Sequence, residues 1–120
     1  MLAQTKAEIP RYMLEQAINL FKQTLADGER ILGPDHPDTL TFRNNLARAY
    51  QNAGRLDEAI DLFKQNLTDS ERILGPDHHH TLTSRNNLAS AYQNAGRDLT
   101  SGRLVYALAA NVRTVQQSLF

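Results

Sequence analysis

The chain contains no cysteine among its 120 residues, and that one absence excludes disulfides, thiolate zinc sites, iron–sulfur clusters and cysteine nucleophiles together. It also lacks an excess of either charge: thirteen Lys and Arg offset thirteen Asp and Glu, for a formal net charge of zero. With no overall basic field, neither nucleic acid nor an anionic membrane surface is an expected partner. Long hydrophobic runs are missing too. Stretches such as Leu104 to Ala110 fall well short of the ~20 residues that a membrane span requires, and no basic n-region followed by an apolar h-region opens the chain. These absences predict a soluble, cytoplasmic protein. The length fits one domain of the commonest size, roughly 100 to 150 residues, and argues against a multidomain enzyme.

What the sequence does hold is a repeat. Laying Ala17–Arg55 over Ala59–Arg97 at an offset of 42 leaves 31 identities in 39 pairs; the differences fall at Asn19, Thr24, Ala26, Gly28, Pro37, Asp38, Phe42 and Arg48. A fixed period of this length marks stacked supersecondary units. Each unit contains two helical patterns joined by breakers. In the first type, Leu40, Leu46, Ala47, Tyr50 and Ala53 recur at spacings of three and four and so share a face directed at the core. Asp35 is expected to cap this helix, Pro37 to sit in its first turn, and Gly54 to stop it. In the second type, Leu56, Ala59, Ile60, Phe63, Leu67 and Ile73 or Leu74 form the apolar stripe, with Asp57 as the cap and Gly75-Pro76 as the stop. The same logic predicts five helices, near 11–32, 36–53, 57–74, 78–95 and 100–119.

The spacing Arg43-x-x-Leu46-Ala47-x-x-Tyr50, then Gly54, then Ala59-x-x-x-Phe63 resembles the tetratricopeptide repeat, with Arg43 standing where that family often has Trp and Ala47 where it often has Gly. The letters return at Arg85, Leu88, Ala89, Tyr92 and Gly96. The longer unit, extended through Ser70–His78, and the pairs Asn44-Asn45 and Asn86-Asn87 are similar to the 42-residue repeats of kinesin light chains. The resemblance implies an all-α fold, antiparallel helical hairpins stacked as a short right-handed α-solenoid of about five helices. It divides the chain into an irregular segment with the start of the first helix (1–16), two repeat units (17–97) and a divergent C-terminal helix (98–120). In that last part Leu104, Leu108, Val112, Val115 and Leu119 keep a helical stripe, but no acidic side chain occurs from residue 99 onward.

Stacked hairpins present an extended concave surface suited to peptides or protein segments. On a helical wheel Thr41, Asn44, Arg48, Gln51 and Asn52 lie opposite the core stripe, and Thr83, Asn86, Ser90, Gln93 and Asn94 repeat them. An amide offers both donors and an acceptor, so a row of Asn and Gln can pair with the backbone of an extended ligand without selecting its side chains. In the family, first-helix asparagines line a peptide groove, which implies that role for Asn44 and Asn86; the plainer reading has them solvated or paired between repeats. Asn45 and Asn87 fall toward the edge of that face. With Arg48 as its one charge, the face lacks the row of Lys and Arg needed to clamp a carboxylate. A protein or peptide is therefore the expected partner. The alternative is self-assembly into a dimer or oligomer through the atypical terminal helices.

The triplet His78-His79-His80 is the one cluster with metal-ligand chemistry. A structural zinc site draws four ligands from separated positions, and the parallel unit reads His36-Pro37-Asp38, so an ordinary loop is the preferred reading and no metal or other cofactor is expected. The carboxylates of Asp57, Glu58, Asp61, Asp69 and Glu71 interleave with Lys64 and Arg72, as on a solvated helical face. No nucleophile elbow, phosphate loop or His-Glu-x-x-His motif accompanies them, and no catalysis is expected. Tyr12, Tyr50, Tyr92 and Tyr106 read as packing residues.

Overall fold

The computed structural model describes residues 9–100, with the side chains through Arg97. Among these residues there are four helices: α1 (Arg11–Ile31), α2 (Pro37–Asn52), α3 (Leu56–Leu74) and α4 (His79–Thr100). Each packs on its neighbour in chain order, as short turns between long helices require. The expected final helix over 100–119 and the segment 1–8 lie outside the described residues.

The apolar stripes meet where the periodicity placed them. Ile18, Leu46, Ala47, Ala49, Tyr50, Ala59, Phe63 and Ala91 form one buried cluster, with Phe21, Leu25, Ala53, Ile60, Leu62 and Leu88 packed against it. Ala47, Ala59 and Ala91 have no exposed surface, because a methyl side chain is what lets neighbouring helices approach closely. Tyr50 is buried with the Arg55 guanidinium 4.7 Å above its ring, a favourable cation–π distance. Tyr12 and Tyr92 depart from the packing role: they are 64% and 51% exposed, since no described helix covers the outer faces of α1 and α4.

The two loops preceding the first-type helices are built alike. Gly33 and Gly75 both adopt φ +95°, a left-handed conformation that glycine takes without a Cβ penalty. Thr39 Oγ1 donates to Gly33 O at 2.8 Å, and Thr81 Oγ1 donates to Gly75 O at 2.7 Å. Asp35 is not the cap. His36 holds that position, and its Nδ1 accepts from the Asp38 amide at 3.0 Å; His78 Nδ1 accepts from the His80 amide at the same distance. Histidine takes the cap position in both loops, and Asp35, one residue earlier, makes a two-pronged ion pair with Arg72 instead, at 2.9 and 3.3 Å. Asp57 also falls inside its helix rather than before it: α3 starts at Leu56, with Arg55 at the cap position making no side-chain cap bond. There Asp57 and Glu58 act as first-turn carboxylates near the positive end of the helix dipole.

Gly54 and Gly96 occupy equivalent positions and behave differently. At Gly54 (φ +79°) the chain turns, with the Gly54 amide donating to Gln51 O at 3.0 Å and the Arg55 amide donating to Tyr50 O at 2.9 Å, and Leu56 then closes into the core. At Gly96 the helix continues to Thr100 instead of stopping. The following residue pair explains the difference. Arg55-Leu56 supplies an apolar anchor that holds the returning chain, whereas Arg97-Asp98 puts a carboxylate at that place.

The exposed Asp35–Arg72 pair has a defined pH signature. Its hydrogen bond from Arg72 holds the Asp35 carboxyl below the ordinary value near 3.8, and the same bond, with that to Asp69, raises Arg72. In the window between the lowered folded value and the ordinary one, the unfolded chain binds more protons, so the stabilisation is present above that window and is lost as pH falls through it. The stability difference between the parent chain and Asp35→Asn, followed by urea unfolding, is expected to hold constant from neutral pH to about 5 and to close below it. A difference that survives unchanged into strong acid would contradict the assignment.

Candidate protein-interaction site

The face shared by α2 and α4 is set by one interhelical bond: Asn87 Nδ2 donates to Asn44 Oδ1 at 2.8 Å. It joins the two first-type helices and fixes their register. Asn44 is thus half-buried and engaged between repeats, and its partner is the edge residue Asn87 rather than its own counterpart Asn86. Thr41 and Asn44 from α2, with Thr83 from α4, line a narrow crevice floored by Asn66 and Ser70 of α3. Gln51 and Asn52 line a broad cleft at the opposite end of the helix, where Asn94 and Arg97 also stand. Arg48 and Asn52, joined by Asn45, form the polar wall of a separate groove between α1 and α2. Asn86, Ser90 and Gln93 are exposed along α4. The structure therefore spreads the candidates over a crevice, a cleft, a separate groove and the exposed side of α4, and does not converge them on one pocket.

Beneath that face lies a buried polar centre that sequence reasoning missed. Arg43, 2% exposed, reaches from α2 into α3, where its Nη1 donates to Asp69 Oδ2 at 2.8 Å and to Asn66 Oδ1 at 3.4 Å. Asp69 is consequently not a solvated carboxylate: its side chain is 20% exposed and it also binds Arg72 at 3.3 Å. Glu58 is engaged as well, with Arg55 Nε at 2.7 Å. Asp69 thus ties α2 to α3, whereas Glu58 pairs within the start of its own helix and stays exposed.

His78 and His80 stack with ring centroids 5.4 Å apart, and the Nδ1 of His78 is occupied by the cap bond. Among the described residues, no group of three or more His, Asp or Glu side chains is placed to share a metal ion. No described helix is long and apolar enough to cross a membrane.

Tandem helical hairpins of a fixed 42-residue period, nested through small residues, define a helical-repeat protein. The family model of the tetratricopeptide repeat matches residues 13–68 and 38–99, and the chain belongs to that family. Its repeats are of the kinesin-light-chain kind. Over 48 residues the chain is 42% identical to Protein KINESIN LIGHT CHAIN-RELATED 2 of Arabidopsis thaliana, a match covering 40% of this chain and 7% of that protein. A crystal structure of nearly identical TPR-like repeats from Podosopora anserina superposes with a TM-score of 0.65 at 34% identity, covering 70% of this chain and 40% of that one. A second crystal structure of those repeats, carrying a substitution, gives 0.64 at 30% identity, over 88% and 50%. The chain therefore spans half or less of each relative. Tetratricopeptide repeats generally mediate protein–protein interaction.

Proposed function

We propose that this chain is a non-catalytic, cytoplasmic interaction module that holds an extended peptide or a partner helix across α2 and α4. The observation that carries this reading is the polar series of exposed Thr41, Arg48 and Asn52 on α2, repeated as exposed Thr83 and Ser90 and half-buried Asn94 on α4, with half-buried Gln51 and exposed Gln93 beside them and the two helices joined by the Asn44–Asn87 bond. Side chains of this kind contact a ligand backbone and leave its sequence loosely specified. Asn44 is a poor place for a test, because replacing it breaks the bond to Asn87. Thr41→Glu with Gln93→Glu alters two exposed positions and adds charge without touching the core. A peptide selected from a displayed random library should shift the backbone amide signals of Thr41, Thr83, Ser90 and Gln93. Its affinity should fall about tenfold or more in the double variant, a loss of roughly 1.4 kcal/mol; undiminished affinity there would overturn the reading.

A second reading, self-association through the terminal helices, is favoured by a different observation. Met13 on α1 and Leu82 and Tyr92 on α4 are each about half exposed, so both ends of the stack present apolar surface that an additional helix would cover.

A further inference from the structure

The second unit shows how a groove of this fold is filled. There α2 packs along α3 and is joined to α4 by the Asn44–Asn87 bond, and Leu56, Ala59 and Phe63 of α3 are 4%, 0% and 1% exposed. The equivalent groove of the first unit, between α1 and α2, is open: Leu14, Ala17 and Phe21 are only half-buried and, with Asn45 and Arg48, line a space of about 300 Å³. Three polar contacts hold α2 and its preceding loop in the filled groove, namely Arg43 with Asp69, Asp35 with Arg72, and Asn44 with Asn87. Subtracting 42 from the groove side of each pair gives Asp27, Arg30 and Asn45, and adding 42 to the helix side gives Arg85, Asp77 and Asn86. All six residue types are retained, and Arg85, Asp77 and Asn86 are exposed on or before α4.

Resting on the self-association reading, we infer that α4 of a second copy of this chain seats head to tail in the α1–α2 groove, repeating the seat of α2. Arg85 of one copy then meets Asp27 of the next, Asp77 meets Arg30, and Asn86 meets Asn45, while Leu88, Ala89 and Tyr92 cover Leu14, Ala17 and Phe21. Charge complementarity fixes both partner and register. The chain's own tail does not supply those charges: Leu108, Asn111 and Thr114 stand 42 residues after Asn66, Asp69 and Arg72. Nor does α4 turn back at Gly96, since it runs on to Thr100. Because the two contacting surfaces differ, the association is heterologous and extends by adding copies instead of closing as a two-fold dimer.

Sedimentation velocity over a concentration series, with circular dichroism as the control for folding, tests this arrangement. The parent chain should grow in weight-average mass with concentration beyond a dimer. Asp27→Arg alone and Arg85→Asp alone each place like charges face to face and should weaken association about tenfold or more. An equimolar mixture of these two variants should associate like the parent, since each then offers the other an opposite charge at both ends. A parent chain that stays monomeric throughout would overturn self-association itself. Association that neither substitution weakens, or a mixture no stronger than its components, would overturn the head-to-tail register while leaving self-association standing. Neither variant alters Thr41 or Gln93, so peptide affinity should persist in both, and its loss or retention is read separately.

Discussion

Replacing Asp69 with alanine is expected to cost about 3 kcal/mol or more of unfolding free energy, the range for removing one partner of a buried ion pair. The cost arises at Arg43, not at the substituted position. Its side chain is 3% exposed and cannot shed its proton, so without Asp69 it keeps a desolvated charge with Asn66 Oδ1 at 3.4 Å and the half-exposed Glu29 at 4.0 Å. Neither substitutes for a direct carboxylate at 2.8 Å. The reverse change is milder. Arg43→Met removes the charge and keeps much of the volume, while Asp69 retains some solvent contact and the Arg72 bond at 3.3 Å, so about half the loss is expected. Urea unfolding of both single variants and the double variant decides the matter. Asp69→Ala proving no worse than Arg43→Met would mean that the buried guanidinium is not the source of the penalty.

This centre also marks where reading the sequence stops short. Leu46, Ala47, Tyr50, Ala59 and Phe63 were legible as core because their spacing alone places them on one helical face, and the loops were legible from Gly-Pro pairs. Arg43 and Asp69 were not, since a charged residue on a helix is ordinarily solvated and their contact joins positions 26 apart in the chain. A signal did exist in the repeat, where Arg85 and Asp27 preserve both letters at the 42-residue offset. The caps were misread because Asp outranks His by type at that position, whereas in both loops the histidine one residue later accepts the amide hydrogen bond. The end of α4 is a different case: Gly96 continues a helix that the identical Gly54 ends, and the residues that follow, Asp98 against Leu56, already differ in the sequence. For Arg43 and Asp69, local preference yields to a partner that becomes visible only in three dimensions. The candidate face was legible as a polar series, but which of its amides are already bonded to each other depends on helix register.

The two hairpin junctions offer a natural experiment that a double-mutant cycle can complete. Gly28 of α1 is buried against α2, and a Cβ placed there would lie 2.6 Å from Cδ2 of Phe42 and 3.0 Å from Cε2. At the equivalent positions of the second unit stand Ser70 and Ser84, buried and with their hydroxyls 3.4 Å apart. Glycine faces phenylalanine in one junction and serine faces serine in the other, so the two substitutions compensate each other in volume. Gly28→Ser is therefore expected to destabilise by about 1 to 3 kcal/mol through overpacking, even though serine is intrinsically the better helix former. The ring can escape only by swinging into the open groove beside Ile31 and Leu32, which lowers the cost without cancelling it. Phe42→Ser alone should also destabilise, by leaving the glycine facing an unfilled gap. The double variant rebuilds the Ser70–Ser84 arrangement and should recover at least 1 kcal/mol, roughly, relative to the sum of the single losses, a coupling within the range for residues in direct contact. Strictly additive losses in denaturant unfolding would show that the glycine and the ring do not constrain each other.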